Sequence, residues 1–156
     1  MADGDREVIE HPNRRKASSQ LARLVVIVLL LVSAAVVLII SLGGWDIQEG
    51  AKPIQIVFIL LYLVLAFFVA SWSRGVLPMI AALAILLGIF AIVAAPGWFD
   101  RARDGFTDPG LSSSLLGLVC VLIAAVQAAL IVVSLQAFRQ AWNVEVERAV
   151  AEPVTA

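Results

Sequence analysis

Between Asp108 and Arg139 the chain carries no charge, and from Leu115 to Phe138 it is almost wholly apolar. A helix rises about 1.5 Å per residue, so roughly 20 residues cross the hydrocarbon of a bilayer. Three more charge-free stretches precede this one: Leu24 to Trp45, Pro53 to Ser73 and Gly75 to Phe99. Each exceeds the roughly 18 residues at which a spanning helix becomes the default. Backbone groups in hydrocarbon must be satisfied within their own segment, and helices do this. The pattern predicts an all-α polytopic membrane protein, an antiparallel bundle of four transmembrane helices over about 24–44, 54–72, 76–95 and 114–138. Residues 1–23 then form a cytoplasmic N-terminal tail, 24–138 the transmembrane domain and 139–156 a cytoplasmic C-terminal tail.

Composition agrees, with 62% hydrophobic and only 15% charged residues, far from the balance of a soluble domain. A net charge of −1 offers no basic surface for phosphates, so nucleic acid is not an expected partner. One cysteine, Cys120, excludes an internal disulfide or a Cys-pair metal motif, and one histidine, His11, excludes multi-histidine sites. No metal or cofactor is expected. Arginine outnumbers lysine nine to two, a compositional hint of a high-GC bacterium and hence of a bacterial plasma membrane. Arg14, Arg15 and Lys16 precede the first apolar run in the outline of a secretory signal. The run is too long for that and no small-x-small cleavage site follows it, so an uncleaved anchor is the better reading. The same basic cluster would lie near anionic headgroups on a mobile tail.

The four tryptophans, Trp45, Trp72, Trp98 and Trp142, fall at the C-terminal ends of the four spans, where indole anchors in the headgroup zone. Eight Lys and Arg residues lie on one side, in the N-tail, at Arg74 and in the C-tail, against three on the other. The positive-inside rule therefore places both termini in the cytoplasm. The Ser71–Gly75 connection is so short that helices two and three should form a tight hairpin. Pro96-Gly97 should stop helix three, and Asp108-Pro109 should cap and open helix four. Gly44-Trp45-Asp46 and Gly97-Trp98-Phe99-Asp100 echo each other, as a duplicated hairpin would, although Gly-Trp is also common at membrane boundaries.

Between helices three and four, Trp98, Phe99, Ala102 and Phe106 recur at helical spacing among charged residues. This predicts a short amphipathic segment lying in the outer interface. On a continuous helix Asp100, Asp104 and Asp108 would share a face; a cation site and a solvated face paired with Arg101 and Arg103 are the two readings, and the second is the simpler. Beyond Arg139 the C-tail should continue helix four for up to three turns, with Trp142, Val146 and Ala149 on one side, ending by Glu152-Pro153.

Small residues repeat at spacing 3-4-3-4 in helix three (Ala81, Ala84, Gly88, Ala91, Ala95). In helix four, Gly117, Cys120, Ala124, Gln127 and Ala128 make a small, polar seam. Such seams let backbones approach closely, which predicts a tight pair of helices three and four. Gln127 at mid-span calls for a hydrogen-bond partner, with Tyr62, Ser33 or a backbone carbonyl as candidates; lining a pathway is the alternative.

No Asp, Glu, Lys, Arg or His lies inside any span. Proton-coupled transporters and intramembrane enzymes need such groups, so the chain reads as a non-enzyme. The expectation is a small integral membrane protein acting as an accessory or structural subunit, its partners the lipid bilayer and either itself or another membrane protein. The alternative is a passive channel or facilitator with Gln127 and Tyr62, joined by Ser33 and Ser41, along a pathway.

Overall fold

The computed structural model describes residues 7–149. In chain order these form strand β1 (Glu7–Glu10), a 3-10 turn (Pro12–Arg15), helix α1 (Ala17–Gly43), helix α2 (Lys52–Ala70), a second 3-10 turn (Arg74–Val76), helix α3 (Leu77–Arg101), helix α4 (Ser113–Arg139) and strand β2 (Val146–Ala149). The fold is helical apart from the two short strands, and four helices are long and apolar enough to cross a membrane.

The helices pack side by side in the order α2–α1–α4–α3. The largest interface is between α3 and α4, and the small residues of α3 make it possible. Ala81, Ala84, Gly88, Ala91 and Ala95 are all buried, as are Gly117, Cys120 and Gln127 of α4. A β-carbon added to Gly88 would lie 3.5 Å from the Gln127 Cβ, an ordinary van der Waals contact between the two helices. Large Leu, Ile, Val and Phe side chains cover the outside: Val93, Phe67, Leu42 and Ile92 are each more than three-fifths exposed. This inside-out distribution suits a hydrocarbon solvent, in which apolar surface has no reason to hide.

Several expectations are overturned. Helices two and three do not form a tight hairpin: α2 leans on α1, α3 leans on α4, and α2 and α3 meet little beyond their connection. The small-residue seam draws α3 to α4, while bulky Phe58 and Phe90 meet edge to face between α2 and α3 with ring centroids 6.2 Å apart. Pro96-Gly97 does not stop helix three, which runs on to Arg101 with Pro96 inside it. Proline removes one backbone bond, but the turn beyond is held by tertiary packing. Trp98 is buried with its ring on Gly44, and the Phe99 ring lies where a β-carbon on Gly117 would sit, 2.8 Å from its nearest atom. Only glycine at 117 admits that ring.

The amphipathic segment is not a separate helix, since Trp98 and Phe99 belong to α3 and the chain turns at Gly105 with φ +100. Asp100, Asp104 and Asp108 consequently do not share a helical face. Asp100 pairs with Arg103 at 3.0 Å. Asp108 does cap α4, but from outside it: its Oδ1 accepts from the Ser113 backbone N–H (2.9 Å) and hydroxyl (2.8 Å), so the helix opens four residues after Pro109. The hairpins α1–α2 and α3–α4 also differ in helix length, 27 and 19 residues against 25 and 27, which argues against duplication.

The C-tail departs furthest from expectation. Instead of continuing, α4 ends at Arg139, and Ala141 takes the left-handed backbone region at φ 50. The chain doubles back and Trp142 becomes fully buried. Residues 146–149 then pair antiparallel with β1, matching Val8 with Arg148, Ile9 with Glu147 and Glu10 with Val146. The N-tail, expected to be mobile, is therefore tied down from residue 7, and Glu145 contacts His11 at 3.3 Å. The expected limit at Glu152-Pro153 lies outside the described residues.

Candidate functional site

Two features could carry function: a polar junction in the core and an apolar cleft at one side of it. The junction is built on Gln127. The Tyr62 hydroxyl donates to Gln127 Oε1 at 2.7 Å, Gln127 Nε2 donates to Ser33 Oγ at 3.0 Å, and Ser33 donates to the Leu29 carbonyl at 2.7 Å. Because the Ser33 proton goes to Leu29, Ser33 Oγ can only accept from Gln127, which fixes the amide's orientation. The chain of bonds links α1, α2 and α4, and Gly88 of α3 lies against the same side chain. Gln127, Tyr62 and Ser33 are all at most 1% exposed. Ser41 stands apart, donating to Val37 of its own helix at 2.7 Å.

The cleft lies where α2 and α3 diverge. It encloses about 230 Å³, with Ile54 and Phe58 on one wall, Phe90 and Ala91 on the other, and Ile40 and Ile123 at its floor. Gln127, Tyr62 and Ser33 do not line it. Gln55 does, one turn into α2.

The end of the molecule that carries β1 and β2 is organised by arginines and tryptophans. Arg23 donates to the last carbonyls of α2, Val69 at 3.3 Å and Ala70, with its guanidinium 4.5 Å from the Trp72 ring centre. Arg74 donates to the Phe138 carbonyl at 2.7 Å and lies 4.2 Å over the Phe138 ring. Each arginine thus places its charge at the negative end of a neighbouring helix. Arg14 bonds the Trp142 carbonyl at 3.2 Å, Asn13 bonds that of Ala141 at 3.0 Å, and Trp72 and Trp142 meet edge to face at 5.3 Å. The basic residues that sequence counting assigns to topology alone are therefore also helix caps. Trp72 itself has φ 62, a left-handed conformation that this packing holds in place.

Each residue singled out in the sequence can now be placed. Gly88, Gly117, Cys120 and the seam alanines Ala81, Ala84, Ala91 and Ala95 of α3 are buried; Ala124 is half-buried, and Ala128 faces outward, one position off the seam. Of the tryptophans, Trp45 is exposed, with the Lys52 ammonium 4.7 Å from its ring centre. Trp98 and Trp142 are buried within the protein. Sequence reasoning missed Arg23 and Arg74 as caps and Gln55 as a cleft residue; the last had a signal, a lone amide opening an otherwise apolar span. Among the described residues, no three His, Cys, Asp or Glu side chains gather closely enough to hold a metal. No family model matches the chain, and neither a curated protein nor a solved structure matches it.

Proposed function

We propose that this chain is a non-catalytic integral membrane protein of a bacterial plasma membrane, an accessory or structural subunit of a membrane complex or of a homo-oligomer. In this reading the four helices form an antiparallel transmembrane bundle with both termini in the cytoplasm. Eight of the eleven Lys and Arg residues then lie on the cytoplasmic side. The observation that carries the proposal is the closed polar junction. The polar side chains that a conduit would need along its path bond one another and a backbone carbonyl, with almost no exposure. The cleft between α2 and α3 is lined mostly by apolar side chains, and none of Gln127, Tyr62 and Ser33 lines it. Polar groups used this way fasten helices together, and they leave the lipid-facing surface as the face offered to neighbours.

The test is affinity purification of the full chain from membranes in a gentle detergent, with mass spectrometry of whatever travels with it. A stoichiometric membrane partner or a defined homo-oligomer is expected. A lone monomer, together with solute flux through vesicles holding the purified chain that Gln127→Leu reduces, would favour the channel instead.

A further inference from the structure

Where α2 and α4 finish, positive charge gathers from three parts of the chain. Segments 12–23, 71–77 and 138–144 meet there through the bonds of Asn13, Arg14 and Arg74. Together they hold Arg14, Arg15, Lys16, Arg23, Arg74 and Arg139, and not one carboxylate. The carboxylates of this end fall in 7–10 and 145–147, on or beside the β1–β2 ribbon. Two of them are matched there, Glu145 with His11 at 3.3 Å and Glu10 with Arg15 at 4.0 Å.

Arg14, Arg23 and Arg74 are instead directed at backbone carbonyls. A carbonyl accepts a hydrogen bond without bringing a full charge. A helix C-terminus carries about half a negative charge, so the ends of α2 and α4 offset about one of the six cations. With Arg15 matched to Glu10, about four charges remain uncompensated. Donors remain as well: a guanidinium has five N–H groups, of which Arg14 and Arg74 spend Nε, and Arg23 spends Nε and Nη2. These three side chains are half-buried, while Lys16 and Arg139 are exposed.

Next to this belt the surface turns apolar. Leu21 and Leu24 flank Arg23, Phe67 and Phe68 precede the α2 carbonyls that it caps, and all four are exposed. Surplus fixed cations edged by apolar surface complement both halves of an anionic phospholipid, its phosphate and its acyl chain. A soluble anion would use only the first half.

We propose that this belt binds anionic phospholipids in preference to zwitterionic ones, with the headgroup at the ends of α1, α2 and α4 and the acyl chains against α1 and α2. A zwitterionic headgroup also has a phosphate, but its ammonium adds a cation that the belt repels. The inference rests on the transmembrane reading and is independent of any protein partner.

The full chain is placed in nanodiscs of phosphatidylcholine and phosphatidylglycerol with matched acyl chains, and the lipids it retains are counted by native mass spectrometry. Incorporation into discs of phosphatidylcholine alone tests the transmembrane reading separately. Relative to the mixture supplied, the parent should retain phosphatidylglycerol about fivefold or more over phosphatidylcholine, the ratio that one charge near the surface gives. Arg23→Gln should lower that ratio about fivefold. Because Arg23 also caps α2, a second variant, Lys16→Gln with Arg139→Gln, leaves the arginine caps in place and should lower it at least as much. Gln at Lys52, Arg101 and Arg103, cations of the opposite end, should leave it unchanged. Equal retention of the two lipids by the parent, or a preference that survives both belt variants, would overturn the proposal. So would a soluble polyglutamate peptide that binds the belt and is not displaced by phosphatidylglycerol, which would assign the belt to an acidic protein segment.

Discussion

Gln127 decides the centre of this molecule because it has nowhere to send its amide except to other helices. Its partners consume their own protons in sequence, Tyr62 into Gln127 and Ser33 into Leu29, so the network has one self-consistent arrangement. Tyr62→Phe removes the donor to Gln127 Oε1 and should lower stability by about 0.6–2 kcal/mol, the range for interhelical bonds in membranes. Combined with Gln127→Leu the two losses should fall short of additive, since both remove the same bond; reversible unfolding in mixed micelles measures this. The neighbouring glycine makes a sharper steric case. At Gly88 a methyl group meets the Gln127 Cβ at 3.5 Å, an ordinary contact, whereas a longer side chain runs into the amide. Gly88→Ala should therefore leave the melting temperature in detergent nearly unchanged, and Gly88→Leu should cost about 1–3 kcal/mol by overpacking.

The helices themselves were readable because charge-free runs mark where hydrocarbon begins and ends, but hydrocarbon boundaries are not helix boundaries. Thus α1 starts at Ala17, where Ser18, Ser19 and Gln20 give no apolar signal, and α3 passes Pro96 because Trp98 and Phe99 pack beyond it. The seam of α3 and the partners of Gln127 were visible from spacing and residue type. The β1–β2 ribbon was not, because it joins opposite ends of the chain and its charged residues read as solvated tail. An isolated two-stranded ribbon is marginal, so Trp142 must anchor it. Trp142→Ala should cost about 3 kcal/mol, as for a large aromatic leaving a core, and should speed hydrogen exchange throughout residues 7–10 and 146–149. At the start of α4, the backbone N–H of Ser113, and then its hydroxyl, hold the Asp108 carboxyl below its ordinary range. The cap is thus fully formed above the unfolded carboxylate's range and is lost as pH falls through the lower, folded value. Exchange of the first-turn amides of α4 should rise on acidification into that range, and Asp108→Ala should show the faster exchange already at neutral pH.

At the scale of the whole molecule, the outward display of large apolar side chains and the inward closure of polar ones make sense in a bilayer. The arginine-capped end, with Arg23 and Arg74 on the carbonyls of α2 and α4, is where the proposed cytoplasmic surface would lie. The most direct measurement is labelling by a membrane-impermeant thiol reagent in sealed, oriented vesicles, on a Cys120→Ser background. Single cysteines replace Ser18, Gly50, Gly75 and Asp104, all exposed; at both glycines an added β-carbon meets nothing within 4 Å. The account predicts that positions 18 and 75 react from the cytoplasmic side alone and positions 50 and 104 from the other alone. Labelling of positions 18 and 50 from the same side, or recovery of the folded chain in the lipid-free soluble fraction, would contradict it.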